Sequence, residues 1–340
     1  MISTNLVVRI LGFSIISLIL FGTLVVCFVI GVGLITAQGK SLADFNALHN
    51  MQRAYYFGGM RNIWQYQSDC VDVGGELIYQ PKFGECSHSN LEFSTTLTFD
   101  DNGRQNSFSY DPNLPRIAVL GDSHAMGWGV NDDKTFSAEL QRITNRRVYN
   151  LGVSSYATER ELDRLALLKD LNSVDTVIIQ YCDNDLGANR EYPIDRNLAS
   201  ERFNIGSQSY NSSQGSALLR NFLKALPSLI PIPIKVQIKS LLGLDASASN
   251  GENEHRHSVE RILAEYSELL EDKEVYVIFI SGHNKAVLPD NWEGNFSERD
   301  LRVNFIDLNM ERNHFYDIDD HLNEHGHLYI ASQINSLIDD

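Results

Sequence analysis

A serine and a distant histidine are the residues of this sequence best suited to nucleophilic chemistry. Ser123 lies in the sequence Gly-Asp-Ser directly after the apolar run 116–120, where the chain can turn and begin a helix. A serine hydroxyl is a poor nucleophile unless a base takes its proton, and an imidazole titrates close enough to neutral pH to do so. His321 could be that base. Because Gly, Asp and Ser also suit ordinary turns and helix caps, the motif by itself is a weak signal.

Three aspartates beside this histidine could supply the third group of such a site. They are Asp317, Asp319 and Asp320. A carboxylate that accepts a hydrogen bond from the imidazole holds its tautomer and stabilises the imidazolium formed during the reaction. The residue types alone leave the choice among the three open.

Hydrogen-bond donors for a developing negative oxygen are expected at three places. The first is the Ser123 N–H, at a predicted helix start. The second is the backbone N–H of Gly152, which follows the apolar run 147–151, and the third is a neutral side-chain amide in the segment 180–185, at the end of the run 176–182. Donors aimed at the oxygen of a tetrahedral intermediate stabilise it. These three places are therefore the predicted oxyanion hole, and the family resemblance given below assigns the third to Asn184.

The elements that must position these groups alternate between strands and helices. Five short β-branched runs are typical of strands, and three amphipathic stretches between them are typical of helices. The strands are predicted at 116–120, 147–151, 176–182, 275–280 and 303–306, and the helices at 136–143, 158–168 and 258–270. This alternation predicts a doubly wound, three-layer α/β/α fold with a mainly parallel sheet and with function at the carboxyl ends of its strands.

The order of these motifs resembles the SGNH branch of the GDSL-type hydrolase superfamily, and the match extends over about residues 116–335. The resemblance implies a flavodoxin-like sheet, with Ser123 as nucleophile and His321 as base. It also implies that Gly152 and Asn184 are the glycine and the asparagine of the family's second and third blocks.

Two positions depart from the family pattern. The third block usually reads Gly-x-Asn-Asp, whereas Cys182 stands at the glycine position here. The last block often reads Asp-x-x-His, whereas the residue three before His321 is Ile318. The resemblance therefore favours Asp319 as the acid, as in Asp-x-His variants of the family, with the other two aspartates as alternatives. The segment 92–104 also resembles the region before the Gly-Asp-Ser motif in membrane-linked bacterial relatives.

Three further side chains near the motifs could line a substrate pocket. They are His124, Trp128 and Tyr156. The alternatives are a surface histidine at a helix start and ordinary core packing, and core packing is favoured for the two aromatic residues. The histidines near the C-terminus match no zinc signature, so we expect neither a metal ion nor another cofactor.

The overall composition is that of a globular, acidic protein. With 340 residues, 43% of them hydrophobic, and only 8 prolines, the chain is neither disordered nor built like collagen. The 28 Lys and Arg against 44 Asp and Glu give a net charge of -16. Because this charge repels phosphate backbones, we expect no nucleic-acid partner.

The N-terminal region is apolar enough to interact with a membrane. Residues 10–39 carry no charged side chain between Arg9 and Lys40. A membrane span needs about 20 such residues, whereas the apolar part of a cleavable signal peptide has about 7 to 15. The length therefore favours an uncleaved, single-pass anchor in the cell membrane, with a cytoplasmic N-terminus and an extracytoplasmic remainder. In that compartment Cys70 and Cys86 could form a disulfide, and two free thiols are the alternative.

The pattern divides the chain into three regions. They are an anchor at 1–40, a membrane-proximal helix with a small β appendage at 41–112, and an SGNH-like catalytic domain at 113–340 with an insertion at about 186–257. The stretch 202–244 contains basic residues but no Asp or Glu. It is interpreted as an ordinary helical insertion, which we favour, or as an amphipathic segment lying on anionic lipid.

Taken together, the sequence predicts a membrane-anchored serine esterase or O-acyltransferase of SGNH type. Its expected substrate is an acyl ester of an extracytoplasmic glycan or similar cell-surface molecule, and its expected partners include proteins of a polysaccharide pathway. One alternative is a non-catalytic glycan-binding or polysaccharide-assembly factor that retains the fold, although the intact Ser123 and His321 argue against it. The other is a lipid-directed lipase or thioesterase, which the basic insertion would suit.

Overall fold

The computed structural model describes residues 4–43, 46–213, 254–280, 292, 294–298 and 301–338. The chain divides into two compact units. The first comprises Met1–Arg61 and Ser213–Leu244, and the second Asn62–Ser212 and Asp245–Asp340. Most of the basic stretch predicted at 202–244 lies outside the described residues.

The first unit is built on one long apolar helix, α1 (Thr4–Ala37), followed by α2 (Asn46–Tyr55). The Tyr55 hydroxyl of α2 donates a hydrogen bond to the Val29 carbonyl of α1 at 2.9 Å. Within the described residues, α1 is the one helix long and apolar enough to cross a membrane, and most of its side chains are exposed. A signal sequence meets the same description, so the anchor stays a prediction.

The second unit contains eleven described strands and seven described helices. The strands β1 to β11 are Val71–Val73, Tyr79–Pro81, Gly84–Ser89, Ser94–Asp100, Gly103–Arg104, Arg116–Leu120, Val148–Asn150, Val174–Tyr181, Glu274–Phe279, Gly294–Glu298 and Leu301–Asp307. The helices α3 to α9 are Ser123–Met126, Phe136–Thr144, Thr158–Ala166, Asp185–Arg190, Arg196–Ser213, Glu254–Glu265 and Glu324–Ile338. Helix α8 begins at Glu254, four residues before the start of the helix predicted at 258–270.

Nine of these strands form one sheet in the order β10-β11-β9-β8-β6-β7-β5-β4-β3. The five neighbours β11, β9, β8, β6 and β7 are parallel, whereas β10 and the β5-β4-β3 group pair antiparallel at opposite edges. The strands β1 and β2 form a separate two-stranded sheet.

Helices cover both faces of the parallel strands. In β6, Ile117 and Val119 face the buried cluster that contains α4 and α9, whereas Ala118 and Leu120 face the cluster that contains α5 and α8. This alternation follows from the two-residue period of a strand. The predicted three-layer, doubly wound α/β/α fold with a mainly parallel sheet is therefore confirmed.

The β segment predicted as an appendage is for the most part an extension of the central sheet. Strand β5 joins β7 through the pair Arg104 and Asn150, and β4 and β3 continue the sheet beyond it. The predicted boundary at 112 therefore falls inside one sheet, because alternation in a sequence identifies strands but not their partners. Cys70 and Cys86 are joined by a disulfide.

Candidate active site

The turn that carries Ser123 is held by a side chain from the neighbouring strand β8. The Gln180 Oε1 atom accepts hydrogen bonds from the N–H groups of Asp122, at 3.1 Å, and Ala125, at 3.0 Å. Gly121 has φ 144, and a Cβ at this position would lie 2.6 Å from Gln180 Oε1. The turn therefore needs glycine, both for its backbone angle and for the close approach of Gln180.

The structure brings Ser123, His321 and Asp319 into hydrogen-bond contact. The Ser123 Oγ atom lies 2.7 Å from His321 Nε2, and His321 Nδ1 lies 2.5 Å from Asp319 Oδ1. Asp319 is fully buried, and Ser123 and His321 are each 6% exposed. A hydroxyl, an imidazole and a carboxylate joined in this order can pass a proton from the hydroxyl to the imidazole while the carboxylate orients the ring.

The three aspartates near His321 have different surroundings. Asp319 Oδ1 also accepts the backbone N–H of His321 at 3.0 Å. The nearest carboxylate oxygen of Asp320 is 3.7 Å from His321 Nδ1, and its side chain is 39% exposed. The Asp317 carboxylate lies on the surface beside Arg312, at 3.5 Å. Asp319 is the aspartate whose geometry fits the acid.

The loop that carries Asp319 is held by Glu92, between β3 and β4. The Glu92 carboxylate accepts the backbone N–H groups of Asp317 at 2.9 Å, Ile318 at 2.9 Å and Asp319 at 2.6 Å. Burial raises the pKa of Glu92, while these N–H groups lower it by stabilising the carboxylate. The sequence predicted no role for Glu92, because no local pattern links this residue to a loop more than two hundred residues away.

A buried arginine holds the other end of the nucleophile helix. Arg104 of β5 donates to the carbonyls of Met126 at 2.7 Å, Gly127 at 2.6 Å and Val130 at 2.6 Å. Its guanidinium also pairs with Asp132 at 2.8 Å. The carbonyls at the end of α3 lack partners within the helix, so this cation satisfies them.

Two aromatic residues expected near substrate are buried. Trp128 is 2% exposed and stacks on the His321 ring, with 4.6 Å between centroids and 12° between planes. Tyr156 is 1% exposed, and its hydroxyl donates to the Tyr79 carbonyl. Both residues are therefore packed in the core, which is the interpretation that the sequence favoured for them, and a role in lining a substrate pocket stays a prediction.

His124, the third residue expected near substrate, does lie beside the site. Its ring centroid is 5.0 Å from that of His321. The residue is 6% exposed, and burial lowers its pKa. The neutral imidazole is therefore favoured at neutral pH.

The three expected oxyanion donors differ in their hydrogen bonds. Within the described residues, the Ser123 N–H has no acceptor. The Asn184 Nδ2 atom donates to Asp122 Oδ2 at 3.0 Å, next to the nucleophile. The Gly152 N–H donates to Asn150 Oδ1 at 3.1 Å, inside its own loop. A Cβ at Gly152 would lie 2.4 Å from the Met126 nitrogen, so close packing against α3 explains this glycine.

Cys182, at the position where the family has glycine, completes this network. Its Sγ lies 2.7 Å from Asn184 Oδ1 and 3.4 Å from Asp122 Oδ2. Burial, followed by the charge of Asp122, raises the thiol's pKa well above its usual value. The protonated thiol can therefore donate a hydrogen bond to either oxygen.

Two further acids are buried on the nucleophile side of the site. Glu161 of α5 is 1% exposed and Asp185 of α6 is 3% exposed. Burial, followed by the negative charge of Asp122, raises the pKa of both carboxyls well above the usual value. Burial therefore keeps both carboxyls protonated to a higher pH than an exposed carboxyl.

Among the residues that the structure describes, two groups of side chains bring metal-binding atoms within 4.8 Å of one another: Asp122, His124 and Cys182, and Asp319, Asp320 and His321. Both overlap the hydrogen-bonded site. The Asp319 carboxylate already faces the His321 ring, and Asp122 already accepts hydrogen bonds from Asn184 and from the His124 N–H. These contacts account for the arrangement without a cation.

Neither a protein-family model nor a curated protein matches the chain. Among solved structures, one similar chain is a G-D-S-L family protein from Desulfitobacterium hafniense, described as lipolytic (11% identity, TM-score 0.29, 64% of this chain and 99% of that chain). Another is an acylhydrolase from Bacteroides fragilis (12% identity, TM-score 0.28, 68% and 90%), and a third is a variant of the esterase AlinE4 (18% identity, TM-score 0.20, 49% and 97%).

At these identities and TM-scores, the matches carry no argument about activity. The similarity to a known family is supported independently by the order of the motifs along this chain and by the position of their side chains at the end of a parallel sheet. On those grounds the chain is similar to the SGNH/GDSL-type hydrolases.

Proposed function

We propose that the protein is a serine esterase or O-acyltransferase that uses Ser123 as nucleophile, His321 as base and Asp319 as the acid. The observation that carries this proposal is the continuous hydrogen-bonded series from Ser123 Oγ through both ring nitrogens of His321 to Asp319. The 12° stacking of Trp128 on His321 supports it, because stacking keeps the imidazole in the plane that faces both partners.

In the first half-reaction, Ser123 Oγ attacks the carbonyl carbon of an ester while His321 Nε2 takes the hydroxyl proton. The resulting oxyanion accepts hydrogen bonds from the Ser123 N–H and from the Asn184 amide, which lies beside the turn. Loss of one such donor typically lowers the rate about a hundredfold or more. The tetrahedral intermediate then expels the alcohol, which receives the proton from His321.

In the second half-reaction, an acceptor hydroxyl attacks the acyl-enzyme, and His321 takes its proton and returns it to Ser123. Water as acceptor makes the protein an esterase, and a sugar hydroxyl makes it an O-acyltransferase. The proposed substrate is an acylated glycan or similar molecule outside the cytoplasmic membrane. The disulfide between Cys70 and Cys86 supports this location, because such bonds persist in oxidising compartments.

Membrane attachment is part of the same proposal. Helix α1 would cross the membrane once, with the N-terminus in the cytoplasm and the second unit outside, near proteins of a polysaccharide pathway. The exposed apolar side chains of α1, such as Phe13 and Leu18, support insertion into a membrane because lipid would cover them.

The proposal is tested by treating the detergent-solubilised full-length chain with a fluorophosphonate that labels activated serines. We expect labelling of the native chain, loss of labelling in Ser123→Ala, and labelling slowed about a hundredfold or more in His321→Ala. Ser68→Ala, at an exposed serine, is the matched control and should label normally. Labelling that persists in Ser123→Ala would exclude Ser123 as the nucleophile.

Hydrolysis and transfer are then separated with 4-nitrophenyl acetate. Turnover in water alone indicates an esterase. Turnover that requires added oligosaccharide, with the acetyl group recovered on that oligosaccharide, indicates an O-acyltransferase.

A further inference from the structure

The second unit contains a cavity of about 370 Å³ that the catalytic proposal does not use. One wall comes from Ser155, in the loop that follows β7, and another from Gly187 and Ala188 of α6, which follows β8. The remaining walls come from α7, from Arg160 of α5, from Gln65 and Tyr66 before β1, and from the segment around β2. This volume lies within the range of about 300–1,000 Å³ that is typical of small-ligand sites.

The cavity adjoins the elements that position the nucleophile. The Val153 N–H, two residues before Ser155, donates to the Gly121 carbonyl at 3.0 Å. On the other side, α6 begins at Asp185, directly after Asn184. One wall of the cavity is thus hydrogen-bonded through its loop to the turn that carries Ser123, and another is continuous in the chain with the proposed oxyanion donor.

Aromatic rings form one part of the lining. Phe203 of α7 stacks on Tyr79, with 4.7 Å between centroids, and lies 5.4 Å from the ring of Tyr66. The face of an aromatic ring carries partial negative charge and attracts the weakly positive C–H groups of an apolar or amphipathic ligand.

Polar groups form the rest of the lining. Gln65 bridges two serines of the β7 loop, accepting from Ser154 Oγ at 3.0 Å and donating to Ser155 Oγ at 2.9 Å. The Arg160 guanidinium lies 4.5 Å above the Tyr156 ring and donates to the Ser155 carbonyl. These contacts hold several hydrogen-bonding groups in place at the cavity wall.

Two residues that line the cavity have a backbone conformation that their side chains disfavour. Ile78 has φ 71 and Ser155 has φ 62. The other described non-glycine residues with positive φ are asparagine or aspartate, which tolerate this region. A β-branched residue in this region is a true outlier, and such residues are often found where a protein shapes a ligand site.

We propose that this cavity binds a sugar ring of the glycan whose acyl ester reacts at Ser123, an inference that rests on the proposed function. A sugar ring offers C–H groups to Tyr66 and Phe203 and hydroxyls to Gln65 and Arg160. An acyl chain would pack against the apolar part but would add no hydrogen bond to Gln65 or Arg160, which are held in place at the wall by their own contacts. The observations therefore favour a glycan over a lipid chain.

The test uses full-length Ser123→Ala in detergent, so that binding is measured without turnover. The probes are acetylated oligosaccharides, six sugars long, of xylose, of N-acetylglucosamine and of mannuronate, and decanoate is the acyl-chain probe. We expect saturable calorimetric binding of at least one oligosaccharide. We also expect Tyr66→Ala and Arg160→Ala, each added to Ser123→Ala, to weaken it about tenfold or more.

Matched variants keep this test specific. Phe83→Ala and Arg142→Ala, at exposed residues outside the cavity, should change the affinity by less than about twofold. Ala199→Trp on α7 should block the cavity, whereas Glu201→Trp, exposed on the same helix, should not. Ala199→Trp removes no existing contact, so it keeps the test valid if Tyr66→Ala fails to fold.

Three results would overturn the proposal. The first is that no oligosaccharide binds. The second is that Ala199→Trp and Arg160→Ala leave oligosaccharide binding unchanged, and the third is that these variants weaken the binding of decanoate alone. Since no result depends on ester turnover, failure here is distinct from failure of the catalytic proposal. Serine labelling without sugar binding would overturn the sugar site alone, and sugar binding without serine labelling would overturn the catalytic proposal alone.

Discussion

The two sides of the proposed catalytic pair are held by different parts of the fold. The turn that carries Ser123 is held from inside the parallel sheet, by the fully buried Gln180 on the adjacent strand β8. The loop that carries His321 is held from the antiparallel edge, by Glu92, a half-buried residue between β3 and β4.

Because of this difference, a change at Gln180 should mainly lower the stability of the fold, whereas a change at Glu92 should mainly lower the activity. Loss of the Gln180 oxygen leaves two buried N–H groups without an acceptor, so it should destabilise the fold as well as the turn. Loss of one Glu92 oxygen should loosen the loop 317–319 and misplace the base, with little effect on the core. The antiparallel edge of the sheet therefore has a positioning role that its short strands would not suggest.

The largest effect is expected on the base side, where Asp319 and Asp320 are neighbours with different geometry. Asp319→Asn should lower kcat for ester hydrolysis about a thousandfold to ten-thousandfold, because an amide favours the wrong imidazole tautomer. Asp320→Asn, at 3.7 Å and partly exposed, should lower it by less than about fivefold. Steady-state kinetics with 4-nitrophenyl acetate measures both, and equal losses would contradict the assignment.

The next effect tests the nucleophile side. Gln180→Leu should lower the free energy of unfolding by about 2–4 kcal/mol, because the Asp122 and Ala125 N–H groups lose a buried acceptor. Gln80→Leu, at an exposed glutamine of β2, is the control and should change it by less than about 0.5 kcal/mol. Denaturant unfolding measures the difference, and a Gln180→Leu chain of native stability would show that the turn does not depend on this bond.

A smaller effect is expected when Glu92 is changed. In Glu92→Gln, one oxygen becomes an NH2 group that cannot accept the N–H groups of the 317–319 loop. We expect kcat to fall about tenfold to thirtyfold, with the unfolding free energy lowered by less than about 1.5 kcal/mol. Glu85→Gln, on the exposed face of β3, should change neither quantity. A large loss of stability without a loss of kcat would reverse the proposed contrast between Glu92 and Gln180.

The last prediction concerns pH and the acids buried beside Asp122 on the nucleophile side. The folded-state pKa values of Glu161 and Asp185 are raised, so above about pH 4 the folded chain binds more protons than the unfolded chain. The unfolding free energy therefore falls as the pH rises toward the raised pKa, by up to about 1.4 kcal/mol per pH unit for each group.

Glu161→Gln and Asp185→Asn should each reduce this loss, since neither replacement side chain titrates. Denaturant unfolding between pH 5 and 8 measures the slopes. Slopes that both variants leave unchanged would exclude these two carboxyls as its cause.

Much of the fold follows from local pattern. The strand predicted at 116–120 is observed as β6 with the same bounds, and the other four predicted strands are observed with shifts of one or two residues at their ends. These elements could be predicted because a buried strand needs a run of β-branched residues whatever its partners are. The partners of the β segment before residue 105 could not, since pairing depends on distant residues.

Some features of the site likewise follow from the local sequence, and others depend on distant residues. Local sequence was enough to predict Ser123 at a strand-to-helix turn and to restrict the acid to three nearby aspartates, because a turn and its caps are formed within a few residues. Only the tertiary structure decided that Asp319 faces the imidazole and that the Gly152 N–H bonds within its own loop. The physical reason is that the direction of a side chain at the end of a strand depends on contacts with residues far away in the chain, such as Glu92, and a local pattern carries no record of them.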